Sequence, residues 1–245
     1  MLGPLLYLLF TADLPTTNDT TTATFADDTA ILSSHSDPEL ASQHLQSGLN
    51  AIEEKLNTWI ISFNELKSIH VIFTLKRETC PPIRVFNKPI PQASDAKYLG
   101  MHLDRRLTWN KHIKTKRKQL GLRLHKLYWL IGRRSQMTKN NKILIYKCIL
   151  KPIWTYGIQL WGSAAKSNID IIQRFQNKVI RAIVDAHRSS SNSDIQKDTP
   201  ISTVTKEIRQ HSLKYLNKLI DHPNDYAKQL MTTTIPKRLK RHRPK

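Results

Sequence analysis

Cysteine is nearly absent from this chain of 245 residues: Cys80 and Cys148 stand alone, without metal-ligand spacing and without the even, patterned set that a disulfide framework needs. That excludes a cysteine-built zinc site and a stapled secreted scaffold, and makes a reducing compartment the default. Glycine is scarce as well, with 7 residues, and nothing reads as a phosphate-cradling glycine-rich loop. No apolar run is long enough to span a bilayer. The stretch from Leu2 to Phe10 has no basic residues before it and reads as a helix of a folded domain, not as a membrane span or signal peptide. There is no internal repeat. Among the scattered histidines, His70, His102, His112, His125 and His211 pair with no nucleophile at a recognisable spacing, so they are expected on the surface, in strands or facing a nucleic-acid duplex.

Acidic residues are the most informative shortage. The chain has 19 Asp and Glu against 39 Lys and Arg, a formal net charge of +20, and the imbalance is not uniform. Residues 1–104 carry 7 basic and 12 acidic side chains, net −5; the remaining 32 and 7 give residues 105–245 a net charge of +25. From Arg105 to Arg134 there is no acid at all. A basic stretch this one-sided points to a polyanionic partner, because most sequence-independent affinity for nucleic acid comes from counterion release. With 39% hydrophobic residues, the length suffices for one core and a second, smaller helical unit.

Within the acidic part, Asp27 and Asp28 stand side by side between two β-compatible runs, Thr22 to Ala26 and Thr29 to Ser33. This places the carboxylates at the tip of a tight hairpin. A bare Asp-Asp dipeptide is expected by chance in about every second chain of this length, so the pair alone decides nothing. Two anions at one tip repel unless a cation neutralises them, and hard divalent ions such as Mg²⁺ take oxygen ligands of this kind. Such a pair suits two-metal phosphoryl or nucleotidyl transfer. Asp13, in the run Thr11 to Pro15, reads as a turn or capping acid.

Asp37, Pro38 and Glu39 form a helix-start signal, and Leu45, Leu49, Ile52, Leu56 and Trp59 recur at steps of four and three, predicting a helix over about 38–60. That helix should pack on the back of a small antiparallel sheet carrying the Asp hairpin. Alternation of Ile69, Val71, Phe73 and Leu75 predicts a strand; Val85 to Ile90 reads as a short hairpin ending at an edge because of Pro89; Lys97 to Leu103 gives the last strand. Beyond Thr108 the period turns helical, through Ile113, Leu120, Leu124, Leu127 and Ile131, then Ile143, Leu144, Tyr146 and Ile149, then Ile172, Phe175, Val179 and Ile183. Trp129, Trp154 and Trp161 fall among these positions and are expected in the core, with base stacking the alternative role. The fold class is therefore α+β, with a small antiparallel sheet and packed helix followed by an all-α bundle.

In order and interval, the Leu2 to Phe10 run, Phe25-Ala26-Asp27-Asp28, Trp59, Asn64, Lys67-Ser68 and Tyr98-Leu99-Gly100 resemble the reverse transcriptases of non-LTR retrotransposons, most closely those of the jockey type. Leu107-Thr108-Trp109, Lys126 to Leu130, Lys151 to Gly157 and Leu160 to Gly162 extend the resemblance to about residue 185. It implies a partial polymerase palm over 1–104, a basic thumb-like helical region over 105–186, and a linker, helix and basic tail over 187–245. It implies metal ligation and catalysis by Asp27 and Asp28, with two Mg²⁺ or Mn²⁺ ions in the complete enzyme. Lys67 would lie near the incoming nucleotide's phosphates, and Tyr98, Leu99 and Gly100 would form the primer grip. Lys111, Lys114, Lys116, Arg117, Lys118 and Arg123 would contact nucleic-acid backbone, with Arg133 and Arg134 just beyond them. The implied partners are an RNA template, a DNA primer and deoxynucleoside triphosphates, with no membrane, no organic cofactor and an open oligomeric state. The implied location is intracellular, nuclear and cytoplasmic.

The chain departs from the family pattern at Ile60 and Ser62, where a basic residue is common, and in the Ser/Asn tract from Ser189 to Ser193. A further metal-binding Asp and the fingers would lie before Met1, so the expectation is a C-terminal fragment that is inactive by itself. The alternative is a catalytically inactive nucleic-acid-binding remnant. The tail from Lys237 to Lys245 reads as a nuclear-import or nucleic-acid-binding tract, or as frayed chain.

Overall fold

The structure, a computed structural model, describes residues 2–61, 64–76, 79–187, 189–225 and 227–228. The chain divides into two compact units, Met1–Gly100 and Met101–Lys245. Ser62 and the tail from Lys237 lie outside the described residues.

The first unit opens with helix α1 (Leu2–Thr11) and the hairpin of β1 (Thr20–Phe25) and β2 (Asp28–Ser33), antiparallel with Thr20 opposite Ser33 and Phe25 opposite Asp28. Helix α2 (Pro38–Thr58) begins where the sequence signals it: the Asp37 side chain accepts from the Glu39 N–H at 2.9 Å, and Pro38 occupies a first-turn position where no donor is lost. Leu49 and Ile52 of its apolar stripe join Ile83 and Val85 in a small core, with Ile31, Leu45, Phe86 and Ile90 packed against it. Trp59 falls at the C-cap and stays half exposed, because the helix stops at Thr58.

The remaining strands are short. They are β3 (His70–Val71), β4 (Arg84–Val85), β5 (Lys88–Pro89), β6 (Gln92–Ala93) and β7 (Asp95–Tyr98), and the described sheet is made of two-stranded pieces, of which β3 and β6 are parallel. The strand expected over Ile69 to Leu75 thus shrinks to two residues. Period-2 alternation produces a strand only when there is a face to bury it on; Ile69 and Phe73 remain 45% and 38% exposed, beyond the reach of the small core. The Phe86-Asn87 turn between β4 and β5 has both residues at positive φ, 47° and 59°, as primed hairpin turns require. Gln46 of α2 fastens this piece, accepting from the Arg84 N–H and donating to its carbonyl, each at 2.8 Å. Lys97 to Leu103 is not one strand: Leu99 and Gly100 form a left-handed turn (φ 45° and 74°) after β7.

The second unit runs from β8 (Met101–Asp104) into α3 (Asn110–Ile131), α4 (Lys139–Ile145), a π-helical turn (Tyr146–Leu150), α5 (Lys151–Thr155), α6 (Ile158–Trp161), α7 (Lys166–Ile183), α8 (Asn192–Lys197) and α9 (Val204–Ile220). Asp104 organises the start of α3, accepting from the Thr108 N–H at 3.0 Å, the Thr108 hydroxyl at 2.9 Å and the Trp109 N–H at 2.8 Å. Ile113, Leu120, Leu124 and Ile131 of α3 and Ile172, Phe175, Val179 and Ile183 of α7 are buried as their spacing predicts. Burying each is worth about 1.5–3 kcal/mol. In the middle helix the spacing misleads. Ile143, Tyr146, Leu150 and Trp154, at steps of three and four, are buried, while Leu144 and Ile149 lie off that face and are exposed. Ser191, in the Ser/Asn tract, caps α8 by accepting from the Asp194 N–H at 3.2 Å.

Candidate functional site

Asp27 and Asp28 are brought together as the sequence predicts, at a two-residue turn whose first residue, Ala26, has a φ of 51°. Asp27 lies in the turn and Asp28 opens β2. Both are exposed, and neither carboxylate makes a hydrogen bond or ion pair among the described residues. Their oxygens are unengaged hard donors, which fits a divalent cation. Among the described residues no group of three or more His, Cys, Asp or Glu gathers into a ligand set. Asp13 does not join them: it sits in the turn after α1, bonded to the Lys55 ammonium of α2, and that hydrogen bond holds its carboxyl below the usual range.

Lys67 ends a single 3-10 turn, Glu65–Lys67, whose backbone is held by Asn64: the Lys67 N–H donates to the Asn64 carbonyl and to its side-chain oxygen, both at 3.2 Å. Its ammonium is exposed and makes no hydrogen bond or ion pair among the described residues. Tyr98 closes β7 and is partly buried, and the Leu99-Gly100 turn follows.

The six basic residues of α3 expected to contact backbone, out of its seven Lys and Arg, divide into exposed ones and ones that border the core. At roughly 100° per residue, the core residues Ile113, Leu120, Leu124 and Ile131 share one side, and Lys111, Lys114 and Lys118 lie opposite and exposed. Arg123 is exposed at the flank. Lys116 and Arg117 border the core and lie over aromatic rings, Lys116 Nζ 5.2 Å from the Tyr156 ring and the Arg117 guanidinium 4.8 Å from the Phe175 ring. Trp129 belongs with the outward lysines and is 74% exposed, against the expectation of a core residue. It stands 18 positions from Lys111, five full turns of helix, so the core is on the other side of α3.

Across its whole length the chain matches known proteins. It is 40% identical over 250 residues to a probable RNA-directed DNA polymerase from transposon X-element of Drosophila melanogaster. It is 38% identical over 251 residues to the probable enzyme from transposon BS of the same species. Identity is 34% over 261 residues to the RNA-directed DNA polymerase from mobile element jockey of Drosophila funebris. The matches take in 98–100% of this chain. The chain matches part of a non-LTR retrotransposon reverse transcriptase. It spans 28% of the length of each of these relatives. No family model matches it, and no solved structure matches it.

Several stretches that carry the resemblance prove structural in this chain. Trp154 and Trp161 are fully buried in edge-to-face contact, 6.4 Å between centroids, and the Trp161 indole N–H donates to the carbonyls of Trp154 and Tyr156 at 3.1 and 3.2 Å. Gly157 between them takes a φ of 64°, and a side chain there would collide with the Met101 sulfur. His112, expected near the surface, is instead buried, its Nδ1 accepting from the His102 N–H at 3.3 Å. Burial, then Lys116 and His102, push its pKa down to about 4. No helix among the described residues is long and apolar enough to cross a membrane.

Proposed function

We propose that this chain carries the C-terminal half of the palm, and the thumb, of a retrotransposon RNA-directed DNA polymerase, acting on an RNA template, a DNA primer and deoxynucleoside triphosphates. The observation that carries the reading is the joint presence of an exposed Asp27-Asp28 hairpin tip and an acid-free, lysine-striped α3 in a chain matched end to end by such polymerases. Residues 1–104 correspond to the palm and 105–186 to the thumb. Asp27 and Asp28 would hold divalent metal, Mg²⁺ or Mn²⁺. Bound there, the metal supplies Lewis acidity for nucleotidyl transfer. Lys67 neutralises charge on the triphosphate, and Tyr98, Leu99 and Gly100 orient the primer. Lys111, Lys114 and Lys118, with Arg123 beside them, hold the duplex backbone, while Lys116 and Arg117 serve chiefly to pack α3 on its neighbours.

A second reading, a nucleic-acid-binding segment that does not catalyse alone, is favoured by the absence of a third acidic ligand beside Asp27 and Asp28 among the described residues. One experiment separates the two. Mg²⁺-dependent deoxynucleotide incorporation on an RNA template with a DNA primer is measured for this chain, and for the chain joined in frame to the upstream part of the X-element polymerase. Each is compared with its Asp27→Asn/Asp28→Asn variant. Incorporation by the joined protein alone, lost in the variant, supports a palm that needs its upstream half; incorporation that survives the variant overturns the assignment.

A further inference from the structure

The second unit contains a cleft that the lysine stripe of α3 does not explain. It is an open hollow of about 430 Å³ between the end of α3 and the outer side of α7, walled by Leu124 and Tyr128 on one side and by Arg174, Lys178 and Arg181 on the other, with Arg133 at its end. The four cations are of two kinds. Arg133 and Arg181 are fixed: Arg133 pairs with Asp185 at 3.0 Å and donates to the Ala186 carbonyl at 2.7 Å, and Arg181 donates to the carbonyls of Ser190 at 2.8 Å and His187 at 2.6 Å. They build the wall. Arg174 and Lys178, one helical turn apart on α7, are exposed and have no hydrogen-bond or ion-pair partner among the described residues.

Two cations with no hydrogen-bond or ion-pair partner among the described residues, one turn apart in this hollow, constitute a site for successive phosphates. The shape and the aromatic residue decide which polyanion fits. A duplex presents its phosphates on a broad convex cylinder, which suits the outward ridge of Lys114 and Lys118. A concave hollow with a half-exposed tyrosine, 49% accessible, suits a strand whose bases are free to stack on a ring. We propose that this cleft binds single-stranded nucleic acid, with Arg174 and Lys178 on consecutive phosphates and Tyr128 against a base. The site lies beside the duplex face of α3 and is distinct from it, so the segment would hold both the duplex and a strand departing from it.

The test uses the full chain and fluorescence anisotropy with two probes, a labelled oligothymidylate of about 15 nucleotides and a duplex of the same length. Arg174→Gln/Lys178→Gln should weaken oligothymidylate binding at least tenfold and flatten its log affinity against log salt slope by about 1.4, two cations at ~0.7 each. Duplex binding should change by less than about twofold, Lys114→Gln/Lys118→Gln should show the reverse preference, and Arg174→Lys/Lys178→Arg should keep single-strand affinity. Tyr128→Leu should cost several-fold on the single strand, and Tyr128→Phe almost nothing. No single-strand binding by the parent chain, an unchanged affinity in the Gln variant, or an equal loss on both probes would overturn the proposal. None of those outcomes touches the Asp27 and Asp28 assignment, which is read by incorporation.

Discussion

Lys151 of α5 and Glu207 of α9 meet at 2.6 Å, with the glutamate 92% buried, and His211 one turn further along α9 lies 3.7 Å from the other carboxylate oxygen. The pair ties the last described long helix to the middle of the bundle, beside the contact where Gly162 admits Ile208. Removing one partner leaves a buried charge without compensation. Glu207→Gln should therefore cost about 1.5–3 kcal/mol, seen as a lower midpoint in urea unfolding. Lys151→Met/Glu207→Met should recover most of that loss; if the double variant falls as far as the single one, the pair is not the source.

His112 makes stability depend on pH. Its folded pKa, near 4, lies below the ordinary value of 6.5, so its contribution is complete above about 6.5 and is lost as pH falls towards 4. The full loss is about 3 kcal/mol at 1.36 kcal/mol per unit. Thermal melts between pH 7.5 and 4.5 should show a steep decline that flattens in His112→Gln, which is less stable at pH 7.5. An equally steep decline in that variant would place the titration elsewhere.

The hydrogen bonds of the Trp161 indole can be tested without disturbing its packing much. Trp161→Phe leaves the Trp154 and Tyr156 carbonyls without this donor and opens a small void, which should cost about 2–4 kcal/mol. Gly157→Ala, forced to positive φ, should cost about 1–2 kcal/mol. Both are read by chemical unfolding, and a neutral result for Gly157→Ala would show that the turn can relax.

Unlike these, Asp27→Asn/Asp28→Asn should leave stability within about 0.5 kcal/mol, because both carboxylates are exposed and make no hydrogen bonds among the described residues. A larger loss on thermal melting would mean that the pair is structural, not a ligand site.

The two sets of cations on α3 should separate in the same way. Lys114→Gln/Lys118→Gln should lower the salt slope of duplex binding by about 1.8, ~0.9 for each cation, at unchanged melting temperature. Lys116→Gln/Arg117→Gln should instead lower the melting temperature, each ring contact contributing about 0.5–1 kcal/mol. A slope change as large in the second variant would return Lys116 and Arg117 to the binding face.

Local signals were legible in the chain. The Asp27-Asp28 tip, the Asp37-Pro38 start of α2, and the buried faces of α3 and α7 follow from period, capping and turn chemistry, which act over a few residues and are written there directly. Tertiary structure decided what depends on a neighbour. Ile69 to Phe73 alternates correctly but has too little core to lie on, so it makes two residues of strand; Trp129 sits among apolar residues yet faces away from them; Leu144 and Ile149 stay exposed while Ile143, Tyr146 and Leu150 beside them are buried. Charge divided along the same line. That α3 is basic is sequence, but only packing tells which cations are held over the rings of Tyr156 and Phe175 and which lie exposed on the outer face, because a side chain's surroundings are set by what the fold places beside it.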